Sequence, residues 1–439
     1  MNKVILDVIN PLYVLNQMNI LATAAAAYSL RKMQRQWYKS IRIRDDTLGE
    51  TDIGFIGENL DTAGMLAWLR RNLVADALLG VDVDSSGISD NWTVVTGSGI
   101  TLISSIEDGA QKLQITASAS LDSSYLNKAV SCVPGNSLDL SLVNYKVSGN
   151  VTARIWISWY TSGGVFISTS TIVDGTSTTY APLSNTNLVA PATAYQARLR
   201  IGIKPASSGG TGSAYFKDAS VTISNQSAYV TTWYDQSGNG NHAVQSTAAN
   251  QPRIVNSGVV DVDAAGRPTC VFDGSNDCLR ITDNATLQLT TQLSINAKFK
   301  SGTANGYIFS RNGSSGAENQ YALYYFKDGA ILTLYMNGNT DRDTNDIATS
   351  TEYISSAIWS GSNADIFVNG NSNGSGAYST PLTNRTNTQI GCRSSAADGS
   401  TQATFFNGNI SELIILNAAL TNAQRQRLER NQNAYYKVY

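Results

Sequence analysis

The feature that most constrains this chain is its punctuation. Through its second half, short apolar runs are cut by Gly238-Asn239-Gly240, Asp273-Gly274, Asn337-Gly338, Asn369-Gly370 and Asn407-Gly408. Such pairs supply the positive φ that tight hairpin turns demand. The runs between them have strand length: 230–234, 269–272, 293–299, 306–310, 321–326, 331–336, 353–359, 364–368, 388–392 and 408–416. A helical bundle cannot be assembled from pieces this short, because helices gain stability only over several turns. Composition agrees: charged residues make up 15% of the 439 and there are 36 glycines, against roughly 25% charged in an average globular chain. The polar remainder is Ser, Thr, Asn and Gly, which suits strands joined by many turns. At 42% hydrophobic, the chain can bury a sizeable core.

Several partners are excluded early. Lys and Arg number 31 against 33 Asp and Glu, with no basic stripe, so nucleic acid is not expected. One histidine, His242, argues against a His-based metal site or pH switch. No apolar stretch reaches the roughly 18 residues a membrane helix requires. The start offers Lys3, an apolar run and alanines, but Asp7, Asn10, Pro11, Asn16 and Gln17 interrupt it, so a cleaved secretory signal is not expected. Its apolar residues Val4, Ile5, Leu6, Val8, Ile9, Leu12 and Val14 are more than a free tail should expose, which makes residues 1–20 an expected docking segment. Cys132, Cys270, Cys278 and Cys392 form no CxxC pair and are expected as four buried thiols, compatible with assembly in a reducing cytoplasm.

The chain reads in three parts. Residues 24–38 are rich in helix formers and are expected helical; Ile41 and Ile43 alternate with Arg42 and Arg44 as a strand; 62–79 is expected helical, with Asp61 or Thr62 as N-cap. From Val81 to about Asn225 the texture is short strands, among them 154–160, 197–203, 214–216 and 221–223, which reads as a β-sandwich or jelly roll. After Tyr229 the strands named above follow, and Thr421 caps a final helix to about Asn433.

Four strings in the last part resemble concanavalin A-like (laminin-G-like) sandwiches: Phe272-Asp273-Gly274-Ser275-Asn276-Asp277 with Leu279, Asp365-Ile366-Phe367-Val368-Asn369-Gly370, the 406–415 strand, and the helix after Leu420. A second set, Tyr28-Ser29-Leu30-Arg31, Ile41-Arg42-Ile43-Arg44, Asp52-Ile53-Gly54-Phe55, Leu60-Asp61-Thr62-Ala63 and Trp233-Tyr234-Asp235-Gln236-Ser237-Gly238-Asn239-Gly240-Asn241-His242, is similar to a module of bacteriophage virion proteins, tail fibres and receptor-binding parts especially. It also resembles, distantly, the catalytic sandwich of α-L-arabinofuranosidase B. The resemblance implies a discontinuous host sandwich, 21–80 with 227–439, carrying residues 81–226 in one loop. The inserted part resembles a carbohydrate-binding-module jelly roll. The expected fold class is therefore mostly β: a concanavalin A-like sandwich with an inserted jelly roll, plus short N-terminal and C-terminal helices.

The chemistry follows. Glycoside hydrolysis needs two carboxylates flanking the sugar. The resembled arabinofuranosidases place their nucleophilic Glu after adjacent cysteines, which this chain lacks; Glu318 stands nearest without that setting. Asp235, Asp273 and Asp277 suit loop bonding better than catalysis, and His242 with Asp235 and Ser237 lie too close in one loop to form a triad. No catalytic residue is expected. Sugar rings stack on aromatic faces and bond through their hydroxyls, so the candidate carbohydrate contacts are Arg154, Trp156, Trp159 and Tyr160 on one strand, whose alternation separates Trp156 and Tyr160 from Trp159. Jelly rolls of the resembled kind often hold one structural Ca²⁺; Asp218 and Asp90 are the candidate ligands, with Asp82 and Asp84 nearby. The expected function is a non-catalytic virion surface protein that binds host-cell carbohydrate, with other virion proteins and copies of itself as partners. The rivals are a glycan hydrolase and a purely structural decoration or fibre protein.

Overall fold

The structure is a computed structural model that describes residues 23–34, 36–74, 79, 81–313, 319–337, 347–395 and 401–439. The expected docking segment 1–20 and Glu318 lie outside the described residues. The chain divides into two compact units: one takes the described residues up to Met65 together with Ser227–Tyr439, the other is Leu66–Gln226. Both are antiparallel β.

In the first unit the hub is Asn407–Leu416, buried from Ile410 onward. It pairs with Ala24–Ser29, with Cys270–Asp273 and with Leu293–Lys300. Lys39–Asp45 in turn pairs with Ala228–Trp233, setting Ile43 opposite Val230 and Ile41 opposite Trp233. Strands from before and after the intervening unit therefore share one hydrogen-bonded ladder.

Two sequence expectations fail here for tertiary reasons. Residues 24–38 are not helical: Ala24–Ser29 is a strand buried at every position. Helix propensity is a weak prior that tertiary pairing overrides, and alanine leaves room for the side chains of Asn239 and Asn241 to donate to the carbonyls of Ala24 and Ala25, each at 2.7 Å. The helix that opens at Thr62 ends at Leu69 rather than running on to residue 79. Asp61 caps it, accepting the Gly64 N–H at 2.7 Å. Beyond it, Leu73 donates to the Val221 carbonyl at 2.8 Å and Asn72 brackets the same strand, so the chain is taken up by the Gly212–Ile223 strand. The final helix, Asn422–Tyr436, opens on a full capping box between Thr421 and Gln424.

The first unit also buries charge. Arg31 and Glu412 pair at 2.7 Å with side chains 2% and 0% exposed. Lys298 meets Asp263 at 2.8 Å. The expectation of four thiols is corrected: Cys278 and Cys392, 114 residues apart, form a disulfide, and Cys132 and Cys270 are free and buried. Spacing along the chain hid the pair; the strands Leu279–Ile281 and Asn387–Ile390 bring it together by lying side by side.

The second unit is a two-sheet jelly-roll-like sandwich. One sheet runs Ala181–Val189, Ser137–Gly149, Gly212–Ile223, Ala110–Ser118, Ile100–Glu107. The other runs Phe166–Thr169, Val151–Tyr160, Gln196–Pro205, Ser124–Ser131, Thr93–Val95, with Val173–Gly175 also on the 151–160 strand. Leu113, Phe216, Ile155, Ile157, Leu199 and Ile201 fill the space between.

Candidate functional site

The outer face of that second sheet carries the chemistry. Residues directly opposite in an antiparallel pair point to the same side. The register sets Trp156 against Arg200, Ser158 against Arg198 and Arg154 against Gly202, and Gly202 against Tyr125 on the next strand. Phe166 stands beside Tyr160 at the sheet edge. The opposite face of the same strands is the core. Trp159 lies there, packed among core residues, so it is removed from the site: strand alternation turns it inward when Trp156 and Tyr160 turn outward.

The outward side chains are interlocked. Arg198 lies over the Tyr160 ring at 3.9 Å and Arg200 over the Tyr125 ring at 4.5 Å. Arg200 donates to the hydroxyls of Tyr125 and Tyr160, both at 2.7 Å. Trp156 meets Tyr125 edge-on at 5.2 Å, and Tyr160 meets Phe166 edge-on at 5.7 Å. Gly202 makes room for Tyr125: a Cβ there would come within 2.7 Å of the tyrosine's own Cβ. Arg154 pairs with Asp174 at 3.0 Å and bonds Ser123. This packing leaves Trp156 and Tyr160 only 5% and 8% exposed, while Phe166 is 56% exposed. The face thus offers ring edges, hydroxyls, guanidinium groups and one open ring rather than a bare tryptophan platform.

Of the expected contacts, the structure brings Arg154, Trp156 and Tyr160 to this face. Sequence reasoning missed Tyr125, Phe166, Arg198 and Arg200. The signal for the arginines was present: in Ala197-Arg198-Leu199-Arg200-Ile201, period-two alternation sets both opposite the core residues Leu199 and Ile201.

The expected calcium pair is not brought together as a cluster. Asp82, Asp84 and Asp90 place carboxylate oxygens within 4.8 Å of one another, and Asp218 is not in that group. Asp218 sits instead at an irregularity of the Gly212–Ile223 strand, with φ of 51°. The gathered carboxylates are the hard oxygen type that suits Ca²⁺. They also accept backbone N–H groups of their own loop, from Val83, Ser86 and Gly87.

The first unit has a cleft of about 480 Å³ lined by Arg44, Tyr229, Arg253, Asp46, Asp273 and Asp277 among others. Burial pushes the Asp277 carboxyl up to about 7. Its oxygen accepts the Asp273 N–H at 2.9 Å, and Asp273 Oδ1 accepts from Ser275 and Asn276 at 2.7 and 3.1 Å. Both acids thus stitch the turn. Asp235 does the same for its loop, accepting from Ala27, Ser237 and Asn241, and His242 Nδ1 accepts the Asp235 N–H at 3.1 Å. The loop fastens Ala24–Ser29 to the sheet; it is no triad.

Residues 273–424 match the family model described as the concanavalin A-like lectin/glucanases superfamily. That segment has the fold of this superfamily. No curated protein sequence matches the chain. Among solved structures, an arabinofuranosidase complexed with arabinofuranosyl-α-1,2-xylobiose is similar at 11% identity and a TM-score of 0.50, covering 97% of this chain and 65% of that one. This chain therefore spans under two thirds of that relative, and the likeness establishes the fold. Partial matches are a structure titled for CBM4 structure and function (13% identity, 34% of this chain and 99% of that one, TM-score 0.27) and the enzymatically active domain of the bacteriophage CBA120 tailspike protein 4 (15% identity, 35% and 21%, TM-score 0.25). Among the described residues no helix is long and apolar enough to cross a membrane.

Proposed function

We propose that this chain is a non-catalytic carbohydrate-binding protein of a bacteriophage virion surface, acting in attachment to host-cell glycan or as capsid or tail decoration. One observation carries the sugar-binding part: a single sheet face gathers Tyr125, Trp156, Tyr160, Arg198 and Arg200, joined by stacking and hydrogen bonds. Forked donors and phenol hydroxyls are what a saccharide's hydroxyls require, the exposed Phe166 ring at the sheet edge suits its apolar face, and side chains already fixed by their neighbours lose little freedom on binding. The virion part rests on the sequence resemblance. In this reading residues 1–20 dock onto the particle, the protein assembles in the host cytoplasm, and it is present in several symmetric copies. A structural Ca²⁺ at the 82–90 loop belongs to the same reading.

The test is an array of bacterial surface glycans probed with the full chain and with Arg200→Ala, which removes both tyrosine bonds. Binding that the variant loses is expected. No binding by either protein refutes the reading and favours a purely structural role. Deleting residues 1–20 should abolish incorporation into particles; full incorporation overturns the docking role.

The hydrolase reading has one observation in its favour, a carboxyl that burial pushes up to about 7 beside a second acid in a cleft. Release of reducing ends from host polysaccharide, lost in Asp277→Asn, would establish it. The turn-stitching role of both acids favours the non-catalytic reading.

A further inference from the structure

The hydrogen-bonding capacity left over on the inserted sheet's outer face is mostly that of donors, although Asn127, opposite Arg200, keeps an unpartnered acceptor oxygen. Tyr125 and Tyr160 each accept an Arg200 N–H, so each phenol keeps its own O–H proton to give. Arg198 donates its Nε to Gln196 at 2.9 Å; among the described residues its two Nη nitrogens have no partner. Arg200 Nε is buried and likewise unpartnered. Neither arginine has a carboxylate within salt-bridge distance among the described residues. Nearby, Arg154 and Lys204 share the one carboxylate of Asp174, at 3.0 and 3.3 Å. The face therefore carries an excess of positive charge on a chain whose net charge is -2.

We infer that this face selects glycans bearing a carboxylate, the acid seating against the free fork of Arg198 and the hydroxyls of Tyr125 and Tyr160. The inference rests on the carbohydrate-binding reading of the same face and adds the class of sugar. A neutral sugar would leave most of these donors facing hydroxyls, which are weaker acceptors. A planar carboxylate matches a guanidinium edge bidentately, and such charge-assisted bonds are about twice as strong as neutral ones. Stacking on Tyr160 holds the Arg198 fork in place before ligand arrives, so little rotamer freedom is lost in using it. A lysine at 198 would keep the charge without the fork.

The experiment measures binding of the full chain to oligogalacturonate, hyaluronan oligosaccharides and oligosialate, each beside its carboxyl-reduced neutral form, by calorimetry at two salt concentrations. At least one acid form should bind about ten-fold or more tightly than its neutral counterpart, more weakly as salt rises. Arg198→Gln should remove that preference, and Arg198→Lys should restore only part of it. Thermal unfolding of both variants at the wild-type midpoint confirms that the fold is kept. Equal affinity for acid and reduced forms overturns the acid selectivity and leaves the carbohydrate reading standing. Binding of none of the acid forms overturns the selectivity, and the glycan array then decides the broader reading separately. An acid preference unchanged in Arg198→Gln also overturns it.

Discussion

Glu412→Gln tests whether the segments flanking the inserted unit are one folded body. Glu412 sits on the hub strand and Arg31 follows the N-terminal strand, nearly four hundred positions earlier. Glu412 Oε2 accepts from Ser29 Oγ, Arg31 Nε and Tyr436 Oη at 2.8, 2.7 and 3.1 Å. Its Oε1 accepts from Arg31 Nη2 and Gln432 Nε2 at 2.9 and 3.0 Å. A glutamine has one acceptor oxygen, so its amide nitrogen would confront two or three donors and Arg31 would keep an uncompensated buried charge. Breaking a buried pair this way costs about 3–5 kcal/mol, and in a domain of this size each kcal/mol moves Tm by about 2–4 °C, so a fall of roughly 10 °C is expected. The assay is calorimetric unfolding of the full chain, where two units can unfold in separate transitions. Only the transition of the unit holding Arg31 should move. Replacing both partners by Met should recover much of the loss, since no charge is then stranded. The pH dependence has a definite sign. Burial pushes the Glu412 carboxyl up, but Arg31 beside it outweighs this and holds it below its ordinary value. The stability from the pair is therefore full above about 4.3, the unfolded glutamate value, and is lost as pH falls through the lower native value. A loss under about 1 kcal/mol, or equal shifts of both transitions, would refute the shared core.

Three further outcomes are expected. Cys278→Ser, or reduction, opens a loop of 114 residues; chain entropy sets an upper value of about 4.8 kcal/mol for the loss, and an unchanged denaturation midpoint under reducing agent would show that the bridge contributes nothing. Because burial raises Asp277 to about 7 in the native state, above the roughly 3.9 of an unfolded aspartate, its contribution is full below that unfolded value and is lost as pH rises through about 7. Asp277→Asn should flatten that slope, and identical pH–stability curves would discount the shift. Adding Ca²⁺ should raise the unfolding temperature of the inserted unit, an increase that Asp90→Asn removes; no shift in the wild type excludes the ion.

How much of this was legible in the sequence depends on the range of the physics involved. Strand positions after Tyr229 were readable because turn chemistry is local: although Asn407-Gly408 opens a strand with neither residue at positive φ, Asn369-Gly370 and Asp273-Gly274 mark turns through φ preferences that need no partner. The same holds for the capping box at Thr421 and for the alternation that separates Trp156 from Trp159. Which of those two faces is core is not local. It is fixed by a second sheet, Phe216 and its neighbours, closing over Ile155 and Ile157.

Local patterns therefore gave the β class, most strand positions after Tyr229 and the residues of a strand that share a face. The rest came from tertiary packing. It made an alanine-rich segment a strand, because a buried ladder outweighs a helix propensity of a few tenths of a kcal/mol per residue. It joined Cys278 to Cys392 and Arg31 to Glu412, because contacts between residues far apart in the chain depend on strand register, which no local pattern encodes. It also set two arginines over two tyrosines, turning an ordinary alternating strand into part of an interlocked arginine–tyrosine cluster.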